Sequence, residues 1–310
     1  MHILVTGGAG YIGSAVVSCL QGHTVTVIDN LAKGRRSLLS DEVAFINLDL
    51  HDREGLLRVF QEHRFDAVMH FAAAKDAGES MKRLSPYSDN ITCFANLLHC
   101  MDVVGCKKLI FSSSAAVYGM PETEVITEEH PCNPINYYGF SKLTCEQMLA
   151  WYVKLRGFVG VSLRYFNVAG DMLGYIDPDA KNVFPILGEV LSGKRKEFTV
   201  FGDDYLTPDG TCIRDYVHIA DLADAHVRAL DCATSETFNL GTGRGYSVLA
   251  LVAAFSKEAG KQIPYVIASR REGDPARLVC SCEKALKVLG WKPMRSLQEM
   301  VKSTVGVYKD

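Results

Sequence analysis

His2-Ile3-Leu4-Val5-Thr6, followed by Gly7-Gly8-Ala9-Gly10-Tyr11-Ile12-Gly13, is the stretch on which the fold turns. The first residues are apolar and partly β-branched, and read as a buried parallel strand. Ile12, Val16 and Leu20 then recur at helical spacing. Strand, glycine turn and helix in that order let the backbone approach a pyrophosphate, whose charge sits at the helix N-terminus. Gly7-x-x-Gly10-x-x-Gly13 and Gly8-x-Gly10-x-x-Gly13 are both present. The context strengthens the match: residues 24–28 read as a second strand, and Asp29 closes it, about 20 residues beyond the glycines as a dinucleotide site requires. A carboxylate there suits a ribose 2′-hydroxyl and favours NAD over NADP. The plainer alternative is a structural turn with a capping aspartate. Lys33, Arg35 and Arg36 follow closely and would suit a 2′-phosphate.

Outward from this unit, strand and helix alternate. Residues 43–47 read as a third strand with Asp49 just beyond, and Asp52 caps a helix that turns Leu56, Val59 and Phe60 inward. Residues 66–70 give a fourth strand running into Phe71-Ala72-Ala73-Ala74-Lys75, where small side chains permit close approach of a ligand. A long helix follows Pro86 to about residue 104, and residues 108–111 form a fifth strand ending in Ser112-Ser113-Ser114. A polar loop spans 121–136, a helix runs to about 156, and 158–163 is another strand. The first half is thus a Rossmann-type, doubly wound parallel sheet, expected over 1–168 with a segment near 212–245 returning to it. Ligands of such sheets bind at the carboxyl ends of the strands, where the glycines, Asp29, Asp49, Lys75 and Ser114 fall. Beyond 169 the pattern loosens. Residues 171–201 mix loop and helix, 238–241 look like a short strand, Ser247 caps a helix, and two short helices close the chain. Residues 169–310 are expected to form a smaller, mixed α/β substrate domain.

Composition sets outer bounds. The 310 residues carry a net charge of −3, 48% hydrophobic and 22% charged residues. This is an ordinary globular balance with no overall attraction to nucleic acid or to an anionic membrane. No apolar run approaches a membrane span. Strand character begins at residue 2, so no secretory leader is expected. The ten cysteines include one close pair, Cys280-Ser281-Cys282, and no Cys-x-x-Cys. They read as reduced thiols of a cytoplasmic protein. No metal-ligand motif occurs, and His218 reads as a packing residue.

The chemistry centres on Tyr138-Gly139-Phe140-Ser141-Lys142. Of 13 tyrosines, only Tyr138 has a lysine four residues on, one helical turn away on the same face. Bringing a phenol to ionise near neutrality requires about 4 kcal/mol. An ammonium at about 6 Å and an effective dielectric of about 20 supplies roughly 3 kcal/mol. The lysine falls somewhat short, and a positive nicotinamide supplies the remainder. Ser114 is placed to hydrogen-bond the reacting hydroxyl. Arg214 and Arg271 are candidate diphosphate clamps, since arginine binds such oxygens bidentately; the alternative for each is a surface ion pair.

With these motifs in view, the chain resembles the extended short-chain dehydrogenase/reductase family, on its nucleotide-sugar 4-epimerase branch. The landmarks are Thr6 to Ser14, Asp29-Asn30-Leu31, His70-Phe71-Ala72, Gly78-Glu79-Ser80 and Phe111-Ser112-Ser113-Ser114-Ala115. Further on come the Tyr138 motif, Leu163-Arg164-Tyr165-Phe166-Asn167, Asp209-Gly210-Thr211-x-Ile213-Arg214-Asp215-Tyr216-Val217-His218 and Arg270-Arg271-Glu272-Gly273-Asp274. The resemblance implies interconversion of UDP-glucose and UDP-galactose. Tyr138, assisted by Ser114 and Lys142, takes the 4-hydroxyl proton, and the C4 hydride passes to a tightly held NAD and returns to the opposite face of a 4-keto sugar. It implies NAD contacts from Gly7, Gly10, Tyr11, Ile12, Gly13, Asp29, Asn30, Asp49, Leu50, Phe71, Ala72, Lys75, Asn90, Tyr138, Lys142, Tyr165 and Phe166. It implies UDP-sugar contacts from Ser114, Tyr138, Asn167, Asn182, Val183, Thr199, Phe201, Arg214, Arg271 and Asp274, and a homodimer built on the helix from Pro86 and the one carrying Tyr138.

Some positions depart from the family pattern. Lys33-Gly34 replaces a more polar pair, Ala116 stands where threonine is common, Cys93-Phe94 follows Asn90-Ile91, and Tyr137 precedes the base. Leu278 falls where residue size affects room for an N-acetyl group, and its intermediate bulk predicts some turnover of UDP-N-acetylhexosamines. The alternatives are a 4-epimerase of a UDP-uronic acid or UDP-pentose, and a non-catalytic NAD-sensing protein. A 4,6-dehydratase fits poorly, because Ala115 and Ala116 follow Ser114 where acidic residues would be needed.

Overall fold

A computed structural model describes residues 1–177, 181–271 and 273–309; Glu272 of the arginine motif lies outside the described residues. The chain divides into two compact units. One comprises Met1–Gly119, Pro131–Arg164 and Ala223–Phe238, and the other Met120–His130, Tyr165–Leu222 and Asn239–Asp310.

The first unit follows the alternation read from the sequence. Its elements are β1 (His2–Thr6), α1 (Tyr11–Cys19), β2 (Thr24–Asp29), β3 (Ala44–Asn47), α2 (Arg53–Glu62), β4 (Ala67–His70), the one-turn α3 (Ala77–Ser80), α4 (Ser85–Val104), β5 (Lys108–Ser114), α5 (Tyr137–Arg156) and β6 (Val159–Tyr165). The central sheet has the order β10-β6-β5-β4-β1-β2-β3, where β10 is Glu236–Leu240. The pairings from β3 through β2, β1 and β4 to β5 are parallel. Strands buried on both faces read as apolar runs because helices cover each side: Ile3, Leu4, Val5, Val68 and Met69 are fully buried. Leu56, Phe60, Phe94, Leu97, Leu98, Phe111 and Leu149 pack α2, α4 and α5 into one core against the sheet. β5 runs three residues beyond the 108–111 that composition predicts. Its serines are held there by partners: Ser113 donates to Glu146, and the Ser112 carbonyl accepts from Lys142.

In the second unit come β7 (Asn167–Ala169), α6 (Val183–Leu191), β8 (Phe198–Phe201), β9 (Ile213–His218) and α7 (Ile219–Ala229), whose later residues belong to the first unit. After β10 follow β11 (Gly245–Ser247), α8 (Val248–Ala259), β12 (Tyr265–Ala268), β13 (Arg277–Leu278), α9 (Glu283–Leu289) and α10 (Leu297–Lys309). β9 is flanked by β11 and β13 and also pairs with β7, while β8 pairs with β12 in a separate two-stranded sheet. Phe184, Leu187, Leu251, Phe255, Met300 and Val301 form a core between α6, α8 and α10. Ser247 caps α8, accepting from the Ala250 amide at 3.2 Å. His218 is a packing residue, its Nδ1 accepting from Ala220 and its Nε2 bonded to Ser303, with burial holding its pKa down to about 4.

Candidate active site

The carboxyl ends of β1 and β4 lie side by side where the strand order reverses, the place at which open parallel sheets take ligands. Gly7 follows β1 at φ +72°, a region that side chains rarely adopt. A Cβ on Gly7 would stand 2.4 Å from the Ala72 nitrogen, and one on Gly13 2.3 Å from the Gly7 carbonyl oxygen. α1 starts after Gly10, which supplies no side-chain cap to the helix N-terminus. A turn that only glycine fills, facing an uncapped helix start, fits a dinucleotide pyrophosphate.

Asp29 is buried at the end of β2, and its two oxygens accept the amides of Ala9 at 3.0 Å and Leu31 at 2.8 Å. It therefore ties the glycine turn to the next loop, as a capping aspartate does, and still has lone pairs for ribose hydroxyls. Gly34 also has a local reason: a Cβ there would meet the Asp29 Oδ1 at 2.9 Å. Arg36 is engaged elsewhere, donating to the Leu39 carbonyl at 2.9 Å and lying over the Phe45 ring. Asn30 donates to Asp49 at 2.8 Å. Asp49 also accepts the His51 backbone amide at 2.9 Å and bonds the His51 ring at 2.7 Å; the His51 amide first, then Asn30, hold its carboxyl below the usual range. Asp49, His51 and Cys93 bring an oxygen, a nitrogen and a sulfur within 4.8 Å of one another. Leu50 is buried beside them.

Phe71, Ala72 and Lys75 occupy the loop after β4. Asn90, on α4, grips that loop by accepting from the Ala74 amide at 2.8 Å and donating to its carbonyl at 3.0 Å. The same Asn90 amide reaches Ser141 on α5 at 3.2 Å. One side chain thus joins the loop to the helix that carries Tyr138.

The start of α5 is fixed twice. Asn136 caps it, accepting from the Gly139 amide at 2.8 Å. A Cβ on Gly139 would fall 2.3 Å from the Ala116 carbonyl oxygen, so the helix rests directly on the turn after Ser114. Ser114 Oγ accepts the Ala116 amide at 3.2 Å, which fixes the serine side chain at the turn on which α5 rests. Lys142 Nζ lies 6.0 Å from the Tyr138 ring centroid and donates to the Ser112 carbonyl at 2.7 Å. The structure thus brings Ser114, Tyr138 and Lys142 together within the first unit. Burial raises the Tyr138 phenol above its usual pKa, against a lowering by Ser114. Burial lowers the Lys142 ammonium to about 8. Burial, then the Lys142 charge, hold the neighbouring His70 neutral, near 3. The chain's own groups therefore keep the phenol protonated at neutrality, in line with the shortfall expected for the lysine acting alone.

Sequence reasoning missed the support behind this group. Glu146, one turn after Lys142 on α5, accepts from Arg164 Nε at 3.0 Å and Nη2 at 2.6 Å. Arg164 donates its Nη1 to the Tyr118 hydroxyl at 2.9 Å. The carboxylate–guanidinium pair is buried and locks α5, β5 and β6 to one another. The i,i+4 spacing of Lys142 and Glu146 was the one signal available.

In the second unit, Arg214 pairs with Asp274, and the Arg271 guanidinium lies 3.9 Å over the Phe201 ring. Thr199 and Phe201 sit on β8, with Asn182 and Val183 at the start of α6. Asn182 Oδ1 is buried without a hydrogen-bond partner, an acceptor left for a ligand. Asn167 donates to the Asp215 carbonyl at 3.0 Å. Tyr165 and Phe166 are buried at the end of β6 and just beyond it.

Residues 3–241 match the model of the NAD dependent epimerase/dehydratase family. The chain is 44% identical over its whole length to the UDP-glucose 4-epimerase of Halalkalibacterium halodurans, covering 96% of that protein. It is 46% identical over 94% of its length to that of Streptococcus mutans, covering 92%. The crystal structure of UDP-glucose 4-epimerase from Bifidobacterium longum in complex with NAD+ and UDP superposes with a TM-score of 0.93 at 40% identity, covering all of this chain and 98% of that one.

Proposed function

The chain belongs to the NAD dependent epimerase/dehydratase family, and on that premise we propose that it interconverts UDP-glucose and UDP-galactose by inverting C4 of the sugar. One observation carries this function: a tyrosine beside Ser114, one helical turn from a buried lysine, in the unit that holds the dinucleotide cradle.

Each side chain then has a task. Tyr138 accepts the 4-hydroxyl proton and gives it back. Ser114 donates to the phenolate oxygen and orients the sugar hydroxyl. Lys142 contributes positive charge that favours the phenolate, and its bond to the Ser112 carbonyl fixes its position. When bound, NAD supplies the two-electron acceptor and donor for C4 and, in its oxidised form, a positive ring charge. Gly7, Gly10, Tyr11, Ile12 and Gly13 would hold its pyrophosphate, with Asp29 and Asn30 at the ribose and Asp49 and Leu50 further out. Phe71, Ala72, Lys75, Asn90, Tyr165 and Phe166 complete the set. The UDP group is assigned to Asn167, Asn182, Val183, Thr199, Phe201, Arg214, Arg271 and Asp274. The unpartnered Asn182 oxygen supports this, as does the stacking of a guanidinium on Phe201.

The proposal extends to a homodimer, supported by the exposed apolar side chains of α4 and α5: Val103, Phe140, Trp151 and Leu155. It also extends to the cytoplasm, supported by ten free cysteines. Among the described residues no helix is long and apolar enough to cross a membrane. Leu278 lies on β13 in register with Arg214, and measurable UDP-N-acetylglucosamine turnover is expected from its size. The main test mixes the purified protein with UDP-galactose and no added cofactor. UDP-glucose should accumulate to equilibrium. No conversion by protein shown to contain NAD overturns the proposal.

A further inference from the structure

The one close cysteine pair in the sequence is assigned no part in the proposed epimerisation. Cys280 is fully buried at the end of the segment that follows β13, and Cys282 is half-buried just before α9. Their sulfurs lie 3.5 Å apart, in contact but unbonded. A disulfide needs a sulfur–sulfur distance of about 2.05 Å, so closure asks for a movement of about 1.5 Å.

The surroundings determine which sulfur moves. The backbone on either side of Cys280 is pinned: the Ile126 amide bonds the Val279 carbonyl at 2.9 Å, and the Ser281 amide bonds the Ile126 carbonyl at 2.8 Å. Cys280 donates its own amide and its thiol to Asp215 Oδ2, at 3.3 and 3.4 Å. Cys282 is held less firmly. Its carbonyl accepts the Leu286 amide at 3.0 Å at the start of α9, but its side chain makes no cap there, and its thiol meets the Gly241 carbonyl at 3.2 Å and the Cys280 sulfur. Loss of the Cys280 thiol donor would not strand Asp215, whose carboxylate still accepts from the Thr242 amide and hydroxyl at 2.7 Å each, the Gly243 amide at 2.9 Å and the Cys280 amide. Both sulfurs can therefore change partner without leaving a buried charge unsatisfied.

We propose that Cys280 and Cys282 form a reversible dithiol–disulfide modification site, oxidised by low-molecular-weight disulfides. The more exposed Cys282 loses its proton and its thiolate attacks one sulfur of the disulfide. This gives a Cys282 mixed disulfide and expels the first thiolate, which takes up the proton. Cys280 then passes its thiol proton to the neighbouring Asp215 carboxylate and attacks the Cys282 sulfur. The Cys280–Cys282 bond forms and the second small thiolate leaves, recovering that proton. Two protein thiols are oxidised by two electrons and one small disulfide is reduced to two thiols.

The test incubates the whole protein in mixtures of reduced and oxidised glutathione, then quenches it in denaturant with iodoacetamide and reads the tryptic peptide spanning residues 278–284 by mass spectrometry. As the oxidised fraction rises, this peptide should pass to an unalkylated form two hydrogens lighter than the dithiol, and return on adding excess thiol. Cys100 and Cys145 should stay alkylated throughout. Cys282→Ser should abolish the lighter form. Three results each overturn the proposal: a peptide that stays doubly alkylated when exposed thiols are already glutathionylated, one that halts as a stable mixed disulfide, or one that oxidises only in step with Cys100 and Cys145, which would mark unfolding.

Discussion

Tyr138 can serve as a base only if charge compensates its burial, and the residues around it do that incompletely. Tyr138→Phe is expected to lower kcat by about 10²- to 10⁴-fold while leaving bound NAD in place; turnover and extracted cofactor measure the two separately. Lys142 makes a pH-dependent prediction. The unfolded chain keeps the lysine proton to its ordinary 10.5, whereas the folded chain loses it near 8. Between those values the unfolded state binds more protons, so stability due to this residue rises with pH. In cofactor-free protein, the melting temperature of the wild type relative to Lys142→Met should therefore climb between pH 8 and pH 10. A flat difference would remove Lys142 from this account. Glu146→Ala strands the buried Arg164 guanidinium and should cost about 3–5 kcal/mol in denaturant unfolding. The Tyr138–Lys142 pair was legible because its spacing is local, and Ser114 because it ends a strand-like run. The Glu146–Arg164 pair was not, since it depends on which strand lies beside α5.

The same contrast holds for whole elements. β1, α1 and α5 were readable from glycines, periodicity and the Tyr138–Lys142 spacing, which all act within a few residues. β8 and β12 were not: 171–201 reads as loop and helix, yet Phe198–Phe201 pairs with Tyr265–Ala268 across more than sixty residues of chain. Polar ends also mislead, as in β5, whose last serines are held in the strand by Lys142 and Glu146 and not by β propensity. Gly139 offers the sharpest test of element placement. Gly139→Ala pushes the start of α5 off the Ala116 carbonyl and displaces Tyr138 from Ser114. Misplacement on this scale costs on the order of 10²-fold in kcat, so activity should fall far more than the melting temperature. Equal losses in both would mean that the contact is only structural.

At the scale of the molecule, a Rossmann-type sheet and a second, mixed unit divide the proposed work: the first carries the side chains assigned to proton transfer and the glycine turn assigned to NAD, the second the groups assigned to UDP. The alternation of the first half made this fold class legible, while the exposed apolar side chains on α4 and α5 emerge only once both helices are placed. Leu155→Glu puts a charge into the face assigned to the partner subunit and should convert a dimer to a monomer in sedimentation. A monomeric wild type would contradict the assignment. In the proposed reaction a hydride leaves C4 and returns to it on the same protein. UDP-galactose carrying deuterium at C4, incubated in ordinary water without added cofactor, tests this directly. The UDP-glucose formed should retain the deuterium at C4; product whose C4 hydrogen comes from solvent would rule out direct return of the hydride.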